Sequence, residues 1–305
     1  MSDKETFEQG AVPDIVVGGS ERIARACVCC ESKQIKSSPA VLMPFVAHRA
    51  LGWEPVVIDE SWGLSTIKNG NAYSVCRSLW CTECGLLFLD IRFSPTELAQ
   101  LYNDYRGEQY TSLREFYEPG YAVRNAALQP ELNYVDRIEA FLAPHLKAPL
   151  SILDWGGDTG KNTPFKDQSE VFDIHDISSK DPVDGAKIVS RVEAFSRRYR
   201  LVVCSNVLEH IPYPANLSND LKNTMDADSI LYIDVPFEGL MRSHESDLHR
   251  LKKHWHEHVN FFSEKSLLKL LTLSGFEIVA SATLRVCVAG VDLCICQFAC
   301  KLRSV

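Results

Sequence analysis

Three clusters of reactive side chains stand at spacings that imply chemistry. Cys27 and Cys30, and again Cys81 and Cys84, form two C-x2-C knuckles. Two thiolates three residues apart can grip one ion from a single tight turn, and a pair of such turns supplies the four sulfurs that tetrahedral zinc takes. Structural zinc is the expectation, with Cys29, Cys76 and His48 as spare ligands. A redox role fits less well, because neither knuckle opens a helix after a strand. The second cluster is residues 151–160, SILDWGGDTG: an apolar run closed by Asp154, then a turn holding Gly156, Gly157, Asp158 and Gly160. Glycines there let backbone amides approach a small charged cofactor without interference from Cβ. In the third, His249, His254, His256 and His258 crowd one segment. Their alternation admits a metal site, or one acid–base histidine among structural ones.

The glycine turn departs from the dinucleotide fingerprint G-x-G-x-x-G. Its acid comes before the first glycine, and the pattern is D-x-G-x-D-x-G. Downstream, VFDIHDIS (171–178) reads as a second strand ending at Asp176. RLVVCSNVLEHIPYP (200–214) reads as a strand running into a turn that contains Leu208, Glu209, His210 and Pro214. SILYIDVP (229–236) is a further strand, and 256–279 gives a helix, a Gly275 stop and a new strand. Two β-rich runs close the chain.

In this order these landmarks resemble the class I S-adenosylmethionine (SAM) methyltransferases, over about half the chain. The resemblance implies an α/β, Rossmann-like, seven-stranded core with SAM as cofactor. SAM carries an ammonium and a sulfonium, so carboxylates beside it are tolerated, whereas a pyrophosphate favours a neutral loop. By carry-over the cofactor residues are Asp154, Gly156, Gly157, Asp158, Gly160 and Asn206. Asp176 would hold the ribose hydroxyls, with Asp173 the weaker candidate. Tyr105, Arg106, Tyr110 and Arg114 belong to an aromatic segment that either covers the edge of the core or closes over cofactor and acceptor.

A cysteine lobe, a SAM core, the "LEH" turn and the "HEH" segment together are similar to a bacterial group acting on nucleotide sugars or surface-polysaccharide precursors. That similarity implies a small sugar-type substrate. It also implies His258 as proton acceptor, Glu257 as its partner or a sugar-hydroxyl ligand, and His210 as a second acceptor-side group. Trp255 replaces a tyrosine common in the C-methylating members, and no extra C-terminal domain follows, so O-methylation and C-methylation both stay open.

Four segments are expected: a polar, disordered tail (1–20), a zinc-binding lobe (21–92), a helical lid or linker (93–147) and the methyltransferase core (148–305). The lid opens with Ser94, Pro95 and Glu97 in a capping-box arrangement. The sequence has 305 residues with 32 basic and 40 acidic side chains, a net charge of −8 that disfavours nucleic acid as a default partner. Eleven scattered cysteines and an N-terminus without an apolar leader point to a cytoplasmic setting, and no run is long enough to span a membrane. An RNA or protein methyltransferase gripping its substrate with the zinc lobe, and a non-catalytic scaffold, are the alternative functions. Oligomeric state is not legible.

Overall fold

A computed structural model describes residues 22–64, 70–127, 131–178, 180–243, 245–288 and 290–304. The expected tail, 1–20, lies outside the described residues. In chain order the strands are β1 (Ile35–Leu42), β2 (Val56–Ile58), β3 (Gly70–Ala72), β4 (Val75–Cys81), β5 (Leu87–Leu89), β6 (Leu150–Trp155) and β7 (Ser169–His175). They continue with β8 (Lys187–Ile188), β9 (Leu201–Ser205), β10 (Ile230–Pro236), β11 (His254–Trp255), β12 (Asn260–Phe261), β13 (Phe276–Val288) and β14 (Val291–Leu302).

Seven strands form one sheet in the order β13-β14-β10-β9-β6-β7-β8. The five from β10 to β8 run parallel, and β14 is antiparallel to both β10 and β13. Parallel strands are covered on both faces and need unbroken apolar runs. Leu201 to Cys204 in β9 and Ile230 to Ile233 in β10 are such runs, all buried. This is the seven-stranded class I methyltransferase core expected from the sequence. Strand order reverses at β6, which lies between β7 and β9. That is where α/β sheets open a ligand crevice beyond their carboxyl ends.

The expected helices form with the expected punctuation. Pro95–Tyr102 carries the full Ser94/Glu97 capping box, and Val135–Leu142 lies in the amphipathic stretch before β6. Glu264–Leu273 is capped by Ser263 and is followed by Gly275 at φ 86°.

A second sheet, ordered β11-β1-β4-β5-β12, is built on the cysteine segment. Its two edges come from far along the chain. β11 pairs parallel with β1 through Val41 and His254, and β12 pairs antiparallel with β5 through Phe88 and Asn260. A lobe boundary at residue 92 therefore leaves both edge strands outside. Bare edges expose unpaired N–H and C=O groups, and the returning chain covers them. Residues 256–259, which include the His-Glu-His segment, consequently cross from one edge of this sheet to the other. Cys27, Leu79 and Phe88 share a hydrophobic cluster with Val235, Phe262 and Phe298 of the core. Lobe and core thus have a common interior.

Candidate active site

The cysteine knuckles converge. Sγ of Cys27 lies 3.6 Å from Sγ of Cys84, and Sγ of Cys30 lies 3.6 Å from that of Cys81. All four sulfurs are within 4.8 Å of one another. Zn–S bonds of about 2.3 Å set tetrahedral sulfurs roughly 3.8 Å apart, so the donor set fits zinc in chemistry and in size. The turns are alike. Amides of Cys29 and Cys30 bond the Cys27 sulfur, and those of Glu83 and Cys84 bond the Cys81 sulfur. Glu31 and Gly85 follow the two turns at φ 60° and 80°. Such N–H···S bonds favour thiolate over thiol. At Cys81 burial is outweighed by these bonds and the neighbouring sulfurs, so the pKa is lowered, whereas at Cys27 the Cys84 sulfur and burial raise it. The spare ligands stand outside the set of four: Cys29 lies beside Cys84 but donates to the Ser266 carbonyl, His48 meets Tyr117 and Glu54, and Cys76 is buried in the hydrophobic cluster on the other face of the lobe.

The crevice beyond β6 is assembled from the ends of four strands. Asp154 ends buried in β6, accepts from the Thr163 hydroxyl, and has its carboxyl pushed up to about 7 by burial. Gly156 sits at φ 82°, and a Cβ on it would come 2.5 Å from a Val207 methyl. Gly160, at φ 78°, is as tight against Ile174 and Phe172. Both positions are closed to side chains by conformation and by space. Gly157 passes close over the Asp154 carboxylate.

Asp176, just after β7, turns toward this loop. Its carboxylate accepts the Asp158 amide at 2.8 Å and the Ser178 amide at 2.6 Å. Asp158 in turn meets Lys180 at 2.8 Å, and the Lys180 ammonium lies 5.3 Å from the Tyr105 ring. Tyr105 is thereby tied to the glycine loop. Asn206, after β9, adopts φ 53°, and its amide donates to the Asp234 carboxylate at 3.0 Å. Asp234 is a residue that the sequence reading passed over. Its carboxyl, pushed up to about 6 by burial, also accepts from Tyr232 and Ser205. An acid inside the apolar run SILYIDVP was the available signal.

Beside the crevice, residues from 105–124 and 252–261, with Glu238, line an open cavity of about 400 Å³. Tyr105, Arg106, Glu238, Lys252, His256 and His258 are among its walls. Nδ1 of His258 is 3.0 Å from Glu238, just past β10. Burial works to lower the pKa of this imidazole, but the Glu238 bond and the charges of Glu209 and Glu257 outweigh it and hold the pKa above the ordinary value. His210 behaves oppositely. Burial, reinforced by His258, drives its pKa down to about 3, and its Nδ1 lies 2.6 Å from the Tyr102 hydroxyl. The two imidazoles meet edge to face with centroids 4.7 Å apart.

Glu257 turns away from His258. Arg114 Nη1 donates to both of its carboxylate oxygens, at 2.8 and 2.9 Å, and Tyr110 donates at 3.3 Å. Burial would raise the carboxyl pKa, yet Arg114 and the two histidines lower it overall. The partner of His258 is therefore Glu238, a residue with no sequence signal beyond following a strand. Nor do the four clustered histidines converge: His249 stacks on Trp80, His256 faces Glu118 at 3.3 Å, and His254 lies on edge strand β11.

Glu118 binds Arg114 and His256 together, and although burial opposes it, these partners hold its pKa down to about 2. A depressed carboxyl pKa lends stability above the unfolded value and loses it as pH falls through the folded one. Thermal melts of Glu118→Gln are therefore expected to show a flatter acid limb than the parent between pH 4.5 and about 2.

The family comparison agrees with this architecture. A family profile described as a methyltransferase domain matches residues 126–281. Among solved structures, a Burkholderia thailandensis 1,6-didemethyltoxoflavin-N1-methyltransferase is 17% identical, with TM-score 0.49 over 73% of this chain and 97% of that one. A glycopeptide N-methyltransferase complexed with sinefungin is 13% identical, with TM-score 0.44 over 57% and 95%. A magnesium protoporphyrin IX methyltransferase from Synechocystis PCC 6803 is 15% identical, with TM-score 0.43 over 69% and 100%. No curated protein sequence matches. No helix among the described residues is long and apolar enough to cross a membrane. With its family profile covering more than half of the sequence and the strand order to match, the chain belongs to the methyltransferase-domain family and is a SAM-dependent methyltransferase.

Proposed function

We propose that this enzyme methylates a small, sugar-type acceptor held in the cavity between lid, lobe loop and core, with His258 as the proton acceptor. The observation that carries the reading is the placing of His258: it lines the cavity, and its Nδ1 is occupied by Glu238, so Nε2 is the nitrogen left to face a substrate. Bound in the crevice, SAM supplies an electrophilic methyl group. Asp154, Gly156, Gly157, Asp158, Gly160 and Asn206 would form its cradle, Asp176 would hold the ribose hydroxyls, and Tyr105 would contact it. His258 would take the proton that the acceptor gives up on methylation. Glu238 fixes the tautomer and stabilises the imidazolium.

Arg106, Arg124 and Lys252 on the cavity wall suit the phosphate of a nucleotide sugar. Lys252 has its pKa lowered to about 8 by burial. His210, kept neutral, orients the acceptor side through Tyr102, while Glu257 braces Arg114 against the same wall. Zinc in the four-thiolate site stiffens the lobe that presents the 256–259 segment. Eleven free cysteines suit a reducing, cytoplasmic setting.

The test is calorimetric titration with SAM. The parent is expected to bind with measurable heat, and Asp176→Ala to bind at least about tenfold more weakly, since two charge-assisted hydrogen bonds are lost. Absence of heat in the parent at millimolar SAM, or an undiminished affinity in Asp176→Ala, would remove the cofactor assignment. Screening nucleotide sugars against the SAM-saturated enzyme then reads the acceptor class.

A further inference from the structure

Glu209 is the anomaly of this region. It is 2% exposed, and neither of its carboxylate oxygens accepts a hydrogen bond among the described residues. A buried, unsatisfied carboxylate is costly and rare, and an absent ion is one standard explanation. Its neighbours are chemically apt. Nε2 of His210 lies 3.7 Å from Oε1 of Glu209, and one ligand atom from each of Glu209, His210 and His258 falls within 4.8 Å of the others.

We propose that Glu209, His210 and His258 form a binding site for a divalent transition-metal ion, distinct from the four-cysteine site. Two imidazoles and one carboxylate are the donor set of facial-triad centres, and suit iron, cobalt, nickel or zinc rather than magnesium or calcium. The outer arrangement is already present. Nδ1 of His210 meets the Tyr102 hydroxyl at 2.6 Å and Nδ1 of His258 meets Glu238 at 3.0 Å, which leaves Nε2 of each ring for an ion. Metal-bound histidines are held in this way by partners on the second ring nitrogen.

Main-chain bonds fix the two ligand-bearing segments to each other. The carbonyl of Glu209 accepts the amides of Val259 at 2.7 Å and Asn260 at 3.0 Å, while the Asn260 side chain donates to Leu208 and Ile211. Metal–nitrogen and metal–oxygen bonds of about 2.0–2.2 Å draw ligand atoms to roughly 3–3.5 Å apart, a contraction of about 1 Å that side-chain rotation supplies. Three protein ligands leave coordination positions open, as in catalytic rather than structural sites.

An ion on Nε2 of His258 occupies the lone pair that would otherwise take the acceptor's proton. Metal-loaded and base-competent forms are then mutually exclusive, and the ion acts as an inhibitor. Only this inhibitory consequence rests on the function proposed above.

The experiment uses the full chain, washed with chelator so that only the four-cysteine site keeps its zinc, and titrated with Co²⁺. Expected are visible d–d bands without a thiolate charge-transfer band, saturating at one cobalt per chain. The bands should be lost in His210→Ala and in Glu209→Gln and retained in Cys29→Ser. SAM binding checks that each variant is folded, with His258→Gln replacing any that is not. No d–d absorption at millimolar cobalt, or bands that persist in folded His210→Ala and Glu209→Gln, overturns the site. Saturation of the bands without inhibition leaves the metal site standing and removes His258 as the base.

Discussion

His258→Ala is expected to lower the rate of methyl transfer by about 10²- to 10⁴-fold, the range in which a positioned general base contributes, while SAM affinity is unchanged. The separation follows from where the residue sits. His258 lines the proposed acceptor cavity, whereas the proposed cofactor cradle is made from Asp154, the glycine turn, Asp176 and Asn206. Assayed in chelator, the variant should regain part of its turnover when free imidazole is added, because a small base can enter the space the side chain vacates. A merely structural role for His258 would show no such rescue. Glu238→Gln keeps a hydrogen-bonding group opposite Nδ1 but removes its charge, so it should fall between parent and His258→Ala. Undiminished turnover in His258→Ala would end the assignment, and leave the SAM site to be judged on its own titration.

Much of this site was legible along the chain, because its cofactor half is local. Asp154 and the three glycines stand within seven residues, and each glycine is needed where the backbone passes Val207, Asp154 or Ile174 at distances no Cβ allows. Strand periodicity and the capping boxes at Ser94 and Ser263 likewise depend on neighbours a few residues apart. The proposed acceptor half is not local. β11 and β12 are two residues long, too short for any period, and they exist because β1 and β5 offer edges more than 150 residues earlier. Glu238 and Tyr102 look like ordinary residues beyond a strand and at a helix end. Packing of the 93–147 helices on the core brings Tyr102 to His210, and the return of the chain along the second sheet brings His258 to Glu238. Motif reasoning accordingly reached Glu257 and His258 as a pair, whereas the fold gives Glu257 to Arg114 and His258 to Glu238.

The same long-range pairing gives the cysteine site its largest expected consequence. Cys81→Ser is expected to reduce bound zinc from about one equivalent to near none after chelator washing and to destabilise the protein by about 4 kcal/mol or more, a size reached when a structural metal is lost. Elemental analysis and denaturant melts read the two effects. Cys29→Ser provides the contrast: its sulfur donates to the Ser266 carbonyl and is not one of the four converging sulfurs, so zinc should be retained. Cys81 ends β4 and pairs with Ile35 at the start of β1, the strand whose far end carries Val41 against His254. Slackening the knuckles therefore loosens β1 and β4, and with them the edge that aligns the 256–259 segment. Methyl transfer should fall in Cys81→Ser even though no cysteine of the cluster lines the cavity. A parent protein purified without zinc, or a Cys81→Ser protein with full zinc content, would contradict the four-thiolate assignment. Loss of zinc with full activity would instead show that the core holds His258 without help from the lobe.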